Sequence, residues 1–422
     1  MEINRIQDTS NNSVKHHEWC LLVRFKSLPS EARKYIFYHT LACPPLILWY
    51  ALPFYLLITG YTVLEVGMIF TAAQLLGIPL TLLLGNVFTK TDMRKGLMAI
   101  DVLDSASTFL YYFAYGSIAP LMVLVGQLID KVSGTLYFLY PAYERVIYPE
   151  DKMKEALAWH LRLPELAIVV SYPIIGYVLG YICNQPDCFR KVFLFFAVYQ
   201  LALVPYIYFC FKPVVLEKGN IEKEPQVKGS LRDYWKRYKY YVIADVLFIT
   251  AWSLAPGLAL VYFVMEWLGG NMFHIALIEA VISTATLTGT WIVDRISENK
   301  AFKALQAGTL VTITGLALMI SAKSFILVLI ASYIVRMGDS LVFVFKRTWL
   351  FSIMSKLEAS KASATLSSIR RVISIVSPTL VGGLAYLDPR APYIACLILL
   401  ASTIPIYMVA SRRVATLAKS IA

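Results

Sequence analysis

Twelve apolar stretches, each long enough to cross a bilayer, leave this chain few folds to adopt. They fall near 35–59, 62–88, 96–116, 118–144, 156–182 and 191–211, then 240–266, 272–293, 301–321, 324–346, 362–386 and 391–410. A membrane-crossing helix needs about 20 predominantly apolar residues, and several stretches exceed that, as tilted or projecting helices do. Composition agrees: 58% of residues are hydrophobic and 16% charged, with a mean hydropathy of +0.62. A soluble protein of 422 residues needs far more polar surface, so lipid is the expected solvent. The expected fold class is an all-α membrane protein of twelve transmembrane helices in two six-helix bundles.

The longest polar interruption lies between the two sets of six, from Lys212 to Lys239. It carries eight Lys/Arg against four Asp/Glu, and Pro213, Gly219, Pro225 and Gly229 break any helix before Ser230. The chain therefore divides into an N-terminal segment (1–34), a first bundle (35–211), a linker (212–239), a second bundle (240–411) and a tail (412–422). Basic residues crowd one set of connections: Lys90, Arg94 and Lys95; Arg145, Lys152 and Lys154; the linker; Arg295, Lys300 and Lys303; Lys346, Arg347, Lys356 and Lys361. The opposite connections hold Arg190, Lys191, Lys323 and Arg390. The positive-inside rule then places both termini and the linker in the cytoplasm, with the plasma membrane as the expected location. The net charge of +12 sits between apolar segments, which suits anionic lipid and not nucleic acid. The first 33 residues are polar apart from a short apolar run at Cys20–Val23, so no signal peptide is expected. Six cysteines follow no zinc or iron–sulfur spacing, so neither metal nor cofactor is expected. Cys183 and Cys188 stand close enough to pair, or to remain two thiols.

The halves echo one another. LIDKVSGTLYFLYP (128–141) aligns with YIVRMGDSLVFVFK (333–346), setting Lys131 opposite Arg336. KEALAWHLRLPELAIVVSYPIIG (154–176) parallels KASATLSSIRRVISIVSPTLVGG (361–383), with Arg162 near Arg370 and Arg371, and Pro173 matching Pro378. Two six-helix halves in the same orientation form the parallel repeat of a secondary transporter.

On these residues the chain resembles the major facilitator superfamily over essentially its whole membrane portion. That family carries a Gly-x-x-x-Asp-Arg loop between spans two and three. Here GNVFTKTDMRKG (85–96) keeps Gly85, Arg94 and Lys95 but has Thr89 and Lys90 in place of Asp-Arg. The second copy, GTWIVDRISENK, starts at Gly289 and keeps Asp294 and Arg295 one residue late. The resemblance implies gating roles for Gly85, Arg94, Lys95, Gly289, Asp294 and Arg295. The fifth span has Tyr172-Pro173 where proton-driven exporters have Gly-Pro, so the export signature is partial.

Ionisable side chains inside a bilayer cost about 2.5–3.5 kcal/mol on insertion scales and normally face a cavity or a partner. Lys131 and Arg336 stand midway along their spans, with Asp130 beside the first and Asp339 on the helix face of the second. They are expected to bind an anionic substrate, to control a carboxylate's protonation, or to lock helices as ion pairs. Arg162 and Glu165 in span five, and Arg370 and Arg371 in span eleven, are further candidates. His160 stands beside Trp159 as a proton-coupling candidate or a plain interfacial residue. Asp101 and Asp104 are expected to carry protons or to pair with Arg94 or Lys95. Asp245 and Glu279 have similar standing, and Glu65 lies near the surface. Trp49, Tyr50 and Tyr55, with Trp252 and Tyr262, are cavity-lining or packing aromatics. Pro44-Pro45 and Pro256-Gly257 interrupt spans one and seven.

The expected function is secondary active transport of a small solute by alternating access, by a monomer coupled to protons or another ion. Proton-linked export of a metabolite or drug leads; uptake or exchange of an organic anion is the alternative. An intramembrane enzyme or sensor belongs to another class. The sequence contains neither HExxH nor GxSxG, and no phosphate-binding Gly-x-x-x-x-Gly-Lys-Ser/Thr.

Overall fold

The computed structural model describes residues 25–84, 92–214, 231–293, 295–297, 300–353 and 359–421, and no strand occurs among them. Twelve spans appear in order. Span α1 comprises Ser30–Ala42, a 3₁₀ turn at Pro44–Ile47 and Leu48–Ile58. Next come α2 (Val63–Leu84) and α3 (Met93–Tyr112). Span α4 has two pieces, Ala119–Gly134 and Leu139–Ile147. It is followed by α5 (Met153–Tyr177 with a π-turn, Val178–Ile182) and α6 (Pro186–Cys210). In the second half, α7 is Leu231–Ser253 with Gly257–Tyr262 and a π-turn at Phe263–Trp267. The rest are α8 (Met272–Val293), α9 (Ala301–Ser321), α10 (Phe325–Ile353), α11 (Ala359–Leu387) and α12 (Ala391–Ala401 with Thr403–Ile421).

Among the described residues, nine of these are long and apolar enough to cross a membrane, or ten when the bent pair in α7 counts as one. The other two are α3, which carries Asp101 and Asp104, and α11, in which Val372–Leu387 forms a shorter apolar helix among the described residues. The breaks follow covalent geometry. Proline lacks an N–H and its ring clashes with the carbonyl four residues back. Pro44-Pro45 yields the 3₁₀ turn of α1, and Pro256 the bend of 40° in α7. The fourth span, expected to be continuous, is interrupted at 135–138; Pro141 has no N–H for the Tyr137 carbonyl, which accepts from Tyr140 instead at 3.2 Å.

One end of the bundle bears the start of α1 and the end of α12; the opposite end is here called distal. At the distal end the halves meet backbone to backbone. A Cβ on Gly67 of α2 would collide with the Pro378 carbonyl of α11, and one on Gly382 would stand 2.7 Å from the Val63 carbonyl oxygen. The Thr379 hydroxyl donates to Thr71 at 2.8 Å, and Asn271 Nδ2 donates to the Gly180 carbonyl at 3.1 Å. Cys183 and Cys188 form a disulfide in the distal turn between α5 and α6. In the α11–α12 turn, hydrogen bonds from Arg390 hold the Asp388 carboxyl below its usual range.

Candidate functional site: a two-lobed central cavity

Tyr50, Pro256 and Gly257, at the breaks of α1 and α7, stand between two cavities and line both. The close approach there needs glycine: a Cβ on Gly257 would lie 3.1 Å from the Tyr50 ring. The first lobe, about 370 Å³, belongs mainly to the N-terminal half, and the second, about 400 Å³, to the C-terminal half. Both volumes suit a small organic solute.

Trp49, Asp104, Asp130 and Lys131 line the first lobe with Tyr111 and Gln127. Lys131 occupies the last turn of the first piece of α4, where the exposed carbonyls of a helix end favour a cation. Its Nζ donates to Asp130 at 3.4 Å. Gln127 and Ser107 both donate to the Tyr111 hydroxyl, at 2.8 and 2.9 Å. Asp104 Oδ1 is buried and accepts no hydrogen bond.

Trp252, Glu279, Arg336 and Asp339 line the second lobe with Tyr393. Arg336 donates through Nε to Thr286 at 2.8 Å and through Nη1 to Asp339 at 3.0 Å. The indole N–H of Trp252 is buried without a partner. Lys131 and Arg336, equivalent in the repeat, thus occupy separate lobes, each held by a carboxylate of its own helix.

Several candidates lie elsewhere. Asp245 is 1% exposed and accepts from Arg370 twice, at 3.0 and 2.9 Å, and from Lys346 at 2.9 Å. Lys346, assigned above to a connection, lies inside α10, which runs to Ile353, and its Nζ sits 3.7 Å from the Phe248 ring centroid. Asp101 is buried and accepts from Tyr38 at 2.8 Å; it pairs with neither Arg94 nor Lys95. Arg162 makes no hydrogen bond or ion pair with a described residue. Glu165 lines a side cavity beside Cys43 and His160. Arg94 donates to the Tyr208 carbonyl at 3.2 Å, Lys95 is exposed, and Gly289 packs against Ser340. Arg295 stacks on Trp291 with its guanidinium carbon 3.4 Å from the ring centroid. Gly85, Asp294 and the side chain of Arg371 lie outside the described residues. Sequence reasoning missed Gln127, Gln200 and Tyr393, uncharged residues with no pattern to mark them.

Twelve helical spans around a two-lobed polar cavity, closed at one end by contacts between the halves, define a membrane transporter. The sequence model of the Major Facilitator Superfamily matches residues 46–378, and the chain belongs to that superfamily. It is a secondary transporter and not an enzyme. The fold is shared by a bacterial homologue of the iron transporter ferroportin in an inward-facing state, with a TM-score of 0.68 at 13% identity over 90% of this chain and 98% of that one. A POT family transporter in complex with a thioalcohol-conjugated peptide gives 0.67 at 14% identity over 92% and 98%. The nucleoside transporter NupG gives 0.65 at 11% identity over 90% and 99%. No curated protein matches the sequence.

Proposed function

We propose that the protein is a proton-coupled antiporter that exports a small amphipathic solute bearing a positive charge. One observation carries this reading: each lobe is lined by two carboxylates and one cation. Asp104 and Asp130 face Lys131 in the first, and Glu279 and Asp339 accompany Arg336 in the second. Charge in a low-dielectric cavity is costly unless balanced, and the lining falls short of positive charge. Protons or a cationic substrate make up the difference, and both do so at the same carboxylates. Binding is then mutually exclusive, which is the condition for exchange. The aromatic walls, Trp49, Tyr50 and Trp252, offer faces for cation–π contact. An organic anion is less well served, since Lys131 and Arg336 are both engaged by neighbouring carboxylates.

The relatives of known structure carry an iron transporter's name, a peptide conjugate and a nucleoside transporter's name, so the shared fold selects no substrate. Orientation rests on the basic connections, together with the distal Cys183–Cys188 disulfide, which suits an oxidising compartment. Both support cytoplasmic termini in a plasma membrane and a solute leaving through the distal end, carried by a monomer.

The test is thermal unfolding of the detergent-purified protein with lipophilic cations and organic anions at pH 5.5 and 7.5, followed by flux in proteoliposomes. A ligand at a hundred times its Kd adds about 2.7 kcal/mol. Cations are expected to stabilise more at pH 7.5 than at pH 5.5, as competition between protons and substrate for one site requires. Glu279→Gln is expected to weaken that pH dependence, since three of the four lining carboxylates remain. Arg336→Ala, which leaves Asp339 without its cation, is expected to abolish transport while insertion and folding persist. Stabilisation by anions alone would overturn the reading.

A further inference from the structure

The end of the N-terminal half that bears the start of α1 holds a polar cluster that the transport reading does not use. His39 of α1, Glu144 of α4 and His160 of α5 each place one donor atom within 4.8 Å of the other two. The two imidazole rings stand 4.5 Å apart at 38°. His160 Nδ1 lies 3.4 Å from Glu144 Oε1 and 2.9 Å from the Tyr148 hydroxyl. Tyr35 donates to the same carboxylate oxygen at 3.0 Å. The Nε2 of His39 is buried and has no hydrogen-bond partner.

The repeat sharpens the question. At the same three spans of the other half, α7, α10 and α11, stands Asp245 with Lys346 and Arg370. There a buried carboxylate ties three helices together through two cations. In the N-terminal half the carboxylate has two imidazoles and two tyrosines around it, and no Lys or Arg pairs with it among the described residues. The cluster thus has, in place of Lys346 and Arg370, two imidazoles that can act as ligands.

We propose that His39, Glu144 and His160 bind a divalent transition-metal ion such as Zn²⁺, which joins α1, α4 and α5. Two imidazoles and one carboxylate form a borderline donor set suited to zinc, iron, cobalt or manganese and not to calcium or magnesium. Donors at about 2.0–2.2 Å from an ion stand roughly 3.3 Å apart in a tetrahedral site, so binding draws the present cluster in by about an ångström. Tyr35 donates to Glu144 Oε1 and Tyr148 bonds His160 Nδ1, so a bound ion takes Nε2 of that ring or displaces the Tyr148 contact. A side cavity of about 360 Å³ reaches the cluster and is lined by His39 and His160 with Cys43 and Glu165, so the path in offers further donors.

The experiment uses the full-length protein, stripped with chelator, its purification tag removed. Zn²⁺ is titrated by calorimetry, and Co²⁺ by its visible ligand-field absorption. Wild type is expected to bind one ion with micromolar affinity or better and to unfold at a higher temperature when loaded. His39→Asn and His160→Asn are expected to weaken binding about 100-fold, and Glu144→Gln at least tenfold. His274→Ala, at a histidine bonded to Asn271 on α8, is expected to leave it unchanged. Absence of stoichiometric binding to wild type at 100 µM metal overturns the proposal whatever the variants do. So does equal binding by His39→Asn protein that elutes as a folded monomer. Failure of the antiport reading leaves this site standing, because the measurement involves no transport.

Discussion

Asp245 shows what one buried charge does in this fold. Two cations on two other spans hold its carboxylate, and Lys346 is itself only 5% exposed. Removing one partner of a buried pair leaves the other uncompensated, at a cost of about 3–5 kcal/mol. Asp245→Asn is therefore expected to lower the unfolding temperature in detergent markedly, and adding Lys346→Met to recover part of the loss. An unchanged melting curve for Asp245→Asn would show that the triad is not a clamp. Asp245 and Arg370 were legible in the sequence as charges inside apolar stretches. Lys346 was not, because α10 runs past the usual bilayer length and carries inside the bundle a residue that hydropathy places in a loop. His39 and Glu144 were invisible for a different reason: the cluster joins residues from three spans, and no local spacing announces it.

Proline reports most of the element-level detail. Pro44-Pro45 and Pro256-Gly257 marked the breaks of α1 and α7 in advance, and the residues at those breaks separate the two lobes of the cavity. Pro141 carried the same information for α4, through the carbonyl it obstructs four residues back, yet hydropathy ran straight across it. The small residues of α2 and α11 matter for their lack of bulk. A side chain at Gly67 meets the Pro378 carbonyl, so Gly67→Val is expected to hold the distal ends apart. Transport should fall at least about tenfold, since an interface that cannot close cannot alternate. A cysteine at Phe70, which lines the first lobe, should then react faster with a membrane-impermeant maleimide added from the distal side. Unchanged labelling would mean that the contact is not part of the gate.

At the scale of the whole molecule, the class, the span count and the parallel repeat all follow from apolar length and matching segments. The division of charge did not. The sequence set Lys131 opposite Arg336 and left them as anion-binding cations, partners of a titrating carboxylate or structural ion pairs. The fold puts them in separate lobes, because equivalent helices of two parallel halves face each other across the centre. Each half thus carries its own cation with two carboxylates, and the proposed exchange of a proton for a cationic solute draws on that duplication.

The distal closure has one more consequence. It is made of carbonyls against glycines, two threonine hydroxyls and an asparagine amide; every ion pair between described residues stays within one half. Opening it separates no charges, so dissolved salt has little to screen. The rate at which the distal face opens is expected to vary less than about twofold between low and high ionic strength. Parting close-set helices changes the cross-section that lipid must surround, and that rate should respond to acyl-chain length instead. Single-molecule distance measurements across the distal face, in nanodiscs of different lipids and salts, would separate the two dependences. A strong salt effect would point to charged contacts in the opening step.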